Sequence, residues 1–287
     1  MKNAVQSGTV VRREGSDKLV ILDDEHAYIA PKTAAAAEKL RAEIAMMRIV
    51  NAGVEVQTPV YLGQDADRFV FTRVPGGSFF QDIQESQTEK QIEVNTTVLA
   101  RFMSQLHHLP VSTGVLPWSQ NELQIDLKTN VRHKDVDEYL RTKGYQSRLM
   151  AAIETLDSIS ISEADSGLIH ADLHGFNILL DSQSHVSGIV DFGDCTVGDI
   201  HYEFKYFPGH GQSFFERLTR KYEAESGRPL NRDRLQLYHF LTAFCHLFYS
   251  ITNGGDVHLK GREGWVEHVV AEHSDFSHER CLRSNDT

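Results

Sequence analysis

Cysteine is scarce: Cys195, Cys245 and Cys281 are the only three in 287 residues, widely spaced and without a CxxC pair. That excludes a disulfide framework and points to a reducing, cytoplasmic setting. Positive charge is also in short supply, with 29 Lys and Arg against 40 Asp and Glu and a formal net charge of −11. Nucleic acid or an anionic membrane would require a basic footprint, so neither is expected as the main partner. A cationic ligand remains compatible with this balance. Long apolar runs are missing. The opening Met1-Lys2-Asn3-Ala4-Val5-Gln6 lacks the stretch a signal peptide needs. The greasiest segment, from Leu235 to Ile251, is interrupted by Gln236, His239 and His246. It falls short of the roughly 20 apolar residues that span a bilayer, and reads as a helix buried on most sides. The 15 histidines show no metal-ligand spacing.

What is present suits a globular chain of one large or two modest domains, with 40% hydrophobic and 24% charged residues. Short β-rich segments fit Thr9-Val10-Val11, Lys18 to Leu22, Ala27-Tyr28-Ile29, Thr58 to Leu62 and Arg68 to Thr72. Between the third and fourth, Thr33 can cap a helix that an alanine run propagates and Asn51-Ala52-Gly53 stops. Gly76-Gly77 after Pro75 marks a hinge. Helical patterns then dominate over residues 89–107, 134–156 and 214–270, with one β interlude at residues 167–191. The expected fold is α+β and two-lobed: a small N-terminal antiparallel sheet plus helix (residues 1–74), a hinge (75–78), and a larger, mainly helical C-terminal lobe (79–287).

The β interlude carries the chemistry. Ile178 to Leu180 and Val186 to Val190 flank a polar turn at Ser182-Gln183-Ser184-His185, which predicts a hairpin. Paired residue numbers should sum to about 367 or 368, which sets Asn177 opposite Asp191, with Cα atoms roughly 4.5–5.5 Å apart. An amide oxygen and a carboxylate at one end of a hairpin suit Mg²⁺, which takes one or two protein oxygens and completes its octahedron with water and phosphate. Asp172, projecting from the preceding loop, is a candidate to receive a proton from an attacking hydroxyl.

His170-x-Asp172-Leu173-x-x-x-Asn177 followed by Asp191-Phe192-Gly193 resembles the H-R-D-L-x-x-x-N and D-F-G loops of the kinase-like phosphotransferases. Two departures separate it from the protein kinases. Position 171 is alanine rather than arginine, and no A-P-E follows Asp191-Phe192-Gly193. The run from Asp194 to Phe204 instead resembles the aminoglycoside phosphotransferase family, nearest the branch that modifies the 2''-hydroxyl. The resemblance implies a two-lobed, protein-kinase-like fold. It makes Asp172 the catalytic aspartate and Asn177 and Asp191 the protein ligands of Mg²⁺, with ATP or GTP as phosphate donor. His170 matches a residue that braces the loop. Lys32, following the strand at Ala27-Tyr28-Ile29, matches the lysine that holds the α/β-phosphates. Its partner should be a glutamate on the next helix. At about 100° per residue Glu43 lies at the edge of the stripe formed by Leu40, Ile44 and Met47, whereas Glu38 lies opposite, in solvent. Ser16, in the abbreviated loop Gly15-Ser16-Asp17, could donate to phosphate, and backbone groups of Thr72 and Val74 would pair with the purine edge.

A polyamine acceptor would need carboxylates around the catalytic loop, and Asp194, Asp199 and Glu203 are the candidates. For Asp199, capping a helix is an equally good reading. The function implied is a nucleotide-dependent kinase, monomeric, acting on a hydroxyl of a small cationic molecule, first of all an aminoglycoside. A macrolide, homoserine, choline or sugar acceptor is the alternative, and an inactive nucleotide-binding scaffold a remote one.

Overall fold

A computed structural model of the chain describes residues 11–14, 17–79, 87–110, 120–253, 258–272 and 281. In chain order the strands are β1 (Val11–Glu14), β2 (Lys18–Leu22), β3 (His26–Pro31), β4 (Tyr61–Asp65), β5 (Arg68–Thr72), β6 (Gly77–Ser78), β7 (Ser166–Ile169), β8 (Ile178–Leu180), β9 (Val186–Ile189) and β10 (Thr196–Asp199). The helices are α1 (Ala34–Gly53), α2 (Glu89–His107), α3 (Gln120–Asn130), α4 (Lys134–Lys143), α5 (Gln146–Ser158), α6 (Gln212–Ser226), α7 (Arg232–Thr252) and α8 (Leu259–Glu272). They divide into two compact units, residues 1–109 with 172–195, and residues 110–171 with 196–287. Mixed α and β structure, with an antiparallel sheet early and helices late, is the class the sequence predicts. Among the described residues no helix is long and apolar enough to cross a membrane.

In the first unit a five-stranded sheet runs in the order β1-β2-β3-β5-β4, antiparallel throughout. Thr33 caps α1 by accepting the Ala36 N–H at 3.1 Å. Leu40, Ile44, Met46, Met47 and Val50 form the inward stripe of that helix. β4 starts three residues later than the apolar run from Thr58 suggests. Pro59 has no N–H for a ladder, and its carbonyl instead accepts from Asn51 Nδ2 at 3.1 Å. A second, three-stranded sheet has the order β6-β8-β9. Helix α2, opened by a capping box of Thr88 and Gln91, holds the β8–β9 turn through the buried Asn95. Its Nδ2 donates to Ser184 O at 3.0 Å, and its Oδ1 accepts the Val186 N–H at 2.8 Å.

In the second unit α7 is the axis. Thirteen of its 21 residues are buried, as the interrupted apolar run predicts. α4 and α5, read from the sequence as one continuous helical stretch, separate at Gly144, whose φ of 70° ends α4. The short ladder β7–β10 pairs Ser166 with Asp199 and Ile169 with Thr196, and the strand pattern of neither segment announces it.

Candidate active site

The hairpin forms in one of the two expected registers, which leaves Asp191 one residue beyond the position opposite Asn177. Ile178 faces Ile189, and the Val190 N–H donates to Asn177 O at 2.9 Å, so Asn177 sits opposite Val190. The next residue, Asp191, has φ of 66°, a left-handed conformation that aspartate tolerates better than most side chains. That turn, rather than direct cross-strand pairing, delivers its carboxylate at the mouth of the hairpin. Phe192 beside it is buried and meets Phe102 of α2 edge-on at 6.4 Å.

The loop before the hairpin folds back on itself. Asn177 Nδ2 donates to Asp172 O at 2.9 Å and to Asp172 Oδ2 at 3.3 Å, while the His174 N–H donates to Asp172 O at 2.9 Å. His174, to which sequence reasoning gives no role, points its Nε2 at Asp172 Oδ2, 3.4 Å away. The Phe176 N–H donates to His174 Nδ1 at 3.1 Å, so Nδ1 accepts and the neutral ring carries its proton on Nε2, facing the carboxylate. Its place two residues after Asp172 is the signal that could have found it. Ala171, immediately before Asp172, is buried with φ of 64°. A non-glycine residue held there stores strain of order 1–3 kcal/mol, which tends to accumulate at functional loops.

The same first unit brings a cation to Asp191, and it is Lys18 on β2, with Nζ 2.8 Å from Asp191 Oδ1. Glu43 of α1 is buried as its helical phase predicts, whereas Glu38 is exposed and pairs with Arg41 at 2.6 Å. Burial pushes the Glu43 carboxyl up to about 7; Lys18 opposes that shift and Asp191 adds to it. For Lys18, burial disfavours the ammonium, but the carboxylates of Glu43 and Asp191 outweigh it and hold the pKa above the ordinary lysine value. The cations acting most strongly on Glu43 are Lys18 and Lys39. Lys32 is exposed just beyond β3, and its backbone N–H donates to Asp17 O at 2.8 Å. Lys32 lies between the end of β3 and the Thr33 cap of α1.

Of the remaining expectations, Ser16 lies outside the described residues. Thr72 can offer the purine edge only its carbonyl, because its N–H is taken by Val60 O at 2.9 Å. Val74 is buried against Gly188, where an added Cβ would come within 2.2 Å of Val74 Cγ1. Asp194 is exposed and pairs with Lys39 at 2.8 Å.

Asp199 and Glu203, in the second unit, are both buried and held by partners within that unit. Asp199 is fully buried. Its Oδ1 accepts from the His201 N–H at 3.0 Å and meets His201 Nδ1 at 2.7 Å; its Oδ2 accepts from Arg234 Nε at 2.7 Å and Tyr238 OH at 2.6 Å. Burial would raise its pKa, but His201, Arg234 and Tyr238 together draw it down to about 2. Glu203 is 1% exposed and accepts the backbone N–H of the buried His170 through Oε2. The segment forms a 3-10 turn capped by Asp199, and both carboxylates turn inward.

The donor set of the first unit fits a small hard cation. Asn177 has its nitrogen engaged by Asp172, which turns its amide oxygen elsewhere, and Asp191 supplies a carboxylate. Among the described residues no three His, Cys, Asp or Glu side chains form a cage. Such a cation would therefore complete its shell from ligand oxygens and water, which is the habit of Mg²⁺.

The fold is shared with solved structures of low sequence identity. A GDP complex of a variant aminoglycoside 2'-phosphotransferase-IIIa matches with a TM-score of 0.75 at 20% identity, over 94% of this chain and 93% of that one. A GDP and kanamycin complex of APH(2'')-IIIa matches with a TM-score of 0.67 at 23% identity, covering 94% and 92%. Macrolide 2'-phosphotransferase type I matches with a TM-score of 0.66 at 17% identity, covering 91% of each chain. Residues 6–243 match the APH phosphotransferase enzyme family, and the chain belongs to that family.

Proposed function

We propose that this protein transfers the γ-phosphate of ATP or GTP to a hydroxyl of a small cationic molecule, an aminoglycoside antibiotic. The observation that carries the reading is the convergence of Asp172, Asn177 and Asp191 on one loop and hairpin mouth, with two further donors, Asn177 Nδ2 and His174 Nε2, directed at the Asp172 carboxylate. Asp172 takes the proton of the acceptor hydroxyl as its oxygen bonds to the γ-phosphorus. The bond from that phosphorus to the β–γ bridging oxygen breaks, and a nucleoside diphosphate departs. Asn177 and Asp191 would hold Mg²⁺, which when bound neutralises charge on the phosphate oxygens. Asn177 and His174 fix the orientation of Asp172, and a fixed acceptor is what makes proton transfer efficient.

A macrolide acceptor is the second reading, favoured by one observation: burial of Asp199 and Glu203 removes two of three carboxylates that would have recognised a polyamine. Incubating the purified protein with Mg·ATP or Mg·GTP and a panel of aminoglycosides and macrolides decides between them. Phosphorylation of an aminoglycoside such as kanamycin is the expected result. Transfer only to macrolides selects the second reading, and no transfer to any member of either class removes both.

A further inference from the structure

A phosphotransferase site of this type needs a cation on the nucleotide phosphates beside the metal-binding carboxylate. Strand β3, His-Ala-Tyr-Ile-Ala-Pro, contains neither lysine nor arginine. Lys18 is the first residue of β2 and lies opposite Pro31 of β3, just as Val20 lies opposite Ile29 and Ile29 opposite Phe69. Side chains alternate along a strand, so Lys18, Val20, Ile29 and Phe69 share one face of the sheet. Phe69 is 4% exposed, which identifies that face as the inward one. The Lys18 ammonium is there 2.8 Å from Asp191 Oδ1. A Cβ built on Gly193 would stand 3.4 Å from Glu43 Oε2 and 3.5 Å from Asp191 Oδ1. Two carboxylates thus close on one glycine, and Lys18 is the ammonium among them.

We propose that Lys18, presented from β2, is the residue that holds the α/β-phosphates, with Glu43 keeping its ammonium in place. The backbone N–H of Lys32 ties the start of α1 to Asp17. The inference rests on the kinase reading of the same site.

Three variants test it: Lys18→Met, Lys18→Arg and Lys32→Met, each first checked for an unchanged thermal melt. Titration with Mg·ATP and Mg·GTP gives nucleotide affinity, and steady-state assays give kcat and KM for nucleotide and acceptor separately. Lys18→Met should lower kcat/KM for the nucleotide by about 10²-fold or more, the scale of losing one preorganised donor to developing charge. Its acceptor KM should stay near the wild-type value. Lys18→Arg should retain more activity than Lys18→Met, and Lys32→Met should behave as wild type. If Lys18→Met does not fold, Lys18→Gln is read in the same way. A wild type that binds and turns over nucleotide while Lys18→Met does so equally well, or while Lys32→Met suffers the larger loss, overturns the assignment of Lys18 alone. A wild type that binds no magnesium nucleotide overturns the kinase reading, and this assignment with it.

Discussion

Asp199 is a carboxylate removed from water and compensated by its immediate neighbours, and truncating one member of such a set leaves the others buried without charge balance. Asp199→Ala should destabilise the protein by about 3–5 kcal/mol, seen as a large drop in Tm, because Arg234 keeps only the 3.2 Å contact to Asp165. Its pH behaviour has a definite sign. The folded-state pKa is lowered from 3.8 to about 2, so the stabilisation, about 2 kcal/mol, is fully present above about pH 4 and is lost as pH falls through about 2. Asp199→Asn should show a shallower loss of stability over that window in acid denaturation followed by circular dichroism. At the residue proposed to take the hydroxyl proton, Asp172→Ala should cut kcat by about 10²–10⁴-fold while nucleotide affinity by titration stays near wild type. The residue scale is also where the sequence is most uneven. Asp172, Asn177 and Asp191 are legible because their chemistry comes with fixed spacing. Lys32 and Lys18 are both lysines next to a strand boundary, and only the cross-strand register decides which ammonium meets Asp191. Asp199 and Glu203 are acidic in any reading, and nothing local reveals that their partners Arg234, Tyr238 and His170 come from elsewhere in the chain.

At the level of elements, the hairpin that carries Asn177 and Asp191 is fastened by a side chain on a helix. The Asn95 amide of α2 bonds the backbone of the β8–β9 turn twice, at Ser184 and Val186. Asn95→Ala leaves a buried N–H and a carbonyl unsatisfied, each worth about 1–3 kcal/mol. Thermal melting should register the loss, and hydrogen exchange should show faster opening at Val186 than at strands β2 and β3. Periodicity located α1 and α2, because a capping threonine, an alanine run and an apolar stripe all act within a few turns. It located the hairpin as well, but neither the bulge between Leu179 and Leu180 nor the left-handed turn that carries Asp191 past the last pair, since both depend on packing that the turn sequence does not encode. Ladder β7–β10 escaped notice for a related reason: its strands are four residues each and lie nearly thirty residues apart, so no local alternation marks them as partners.

For the molecule as a whole, the formal charge of −11 favours cationic ligands at a distance, and that attraction is screened over about 8–10 Å at ordinary ionic strength. Raising salt from low to physiological values should therefore raise the KM for a polycationic aminoglycoside several-fold more than for a singly charged macrolide, measured at saturating magnesium nucleotide. Composition announced this balance, and the order of strand and helix patterns the α+β class. It could not announce how the chain is partitioned, because the first compact unit is discontinuous, made from residues 1–109 and 172–195. That partition bears on biosynthesis. When residue 109 leaves the ribosome, Ser78 and Asn95 are already made, but β8, β9 and the turn they bind lie up to 80 residues downstream. At about 5–20 residues per second, roughly 4–16 seconds pass before those partners emerge. During that interval β6 and the Asn95 amide face a nascent chain that has nothing yet to offer them, so vectorial synthesis alone cannot complete the hairpin between Asn177 and Asp191 until the second unit is well under way.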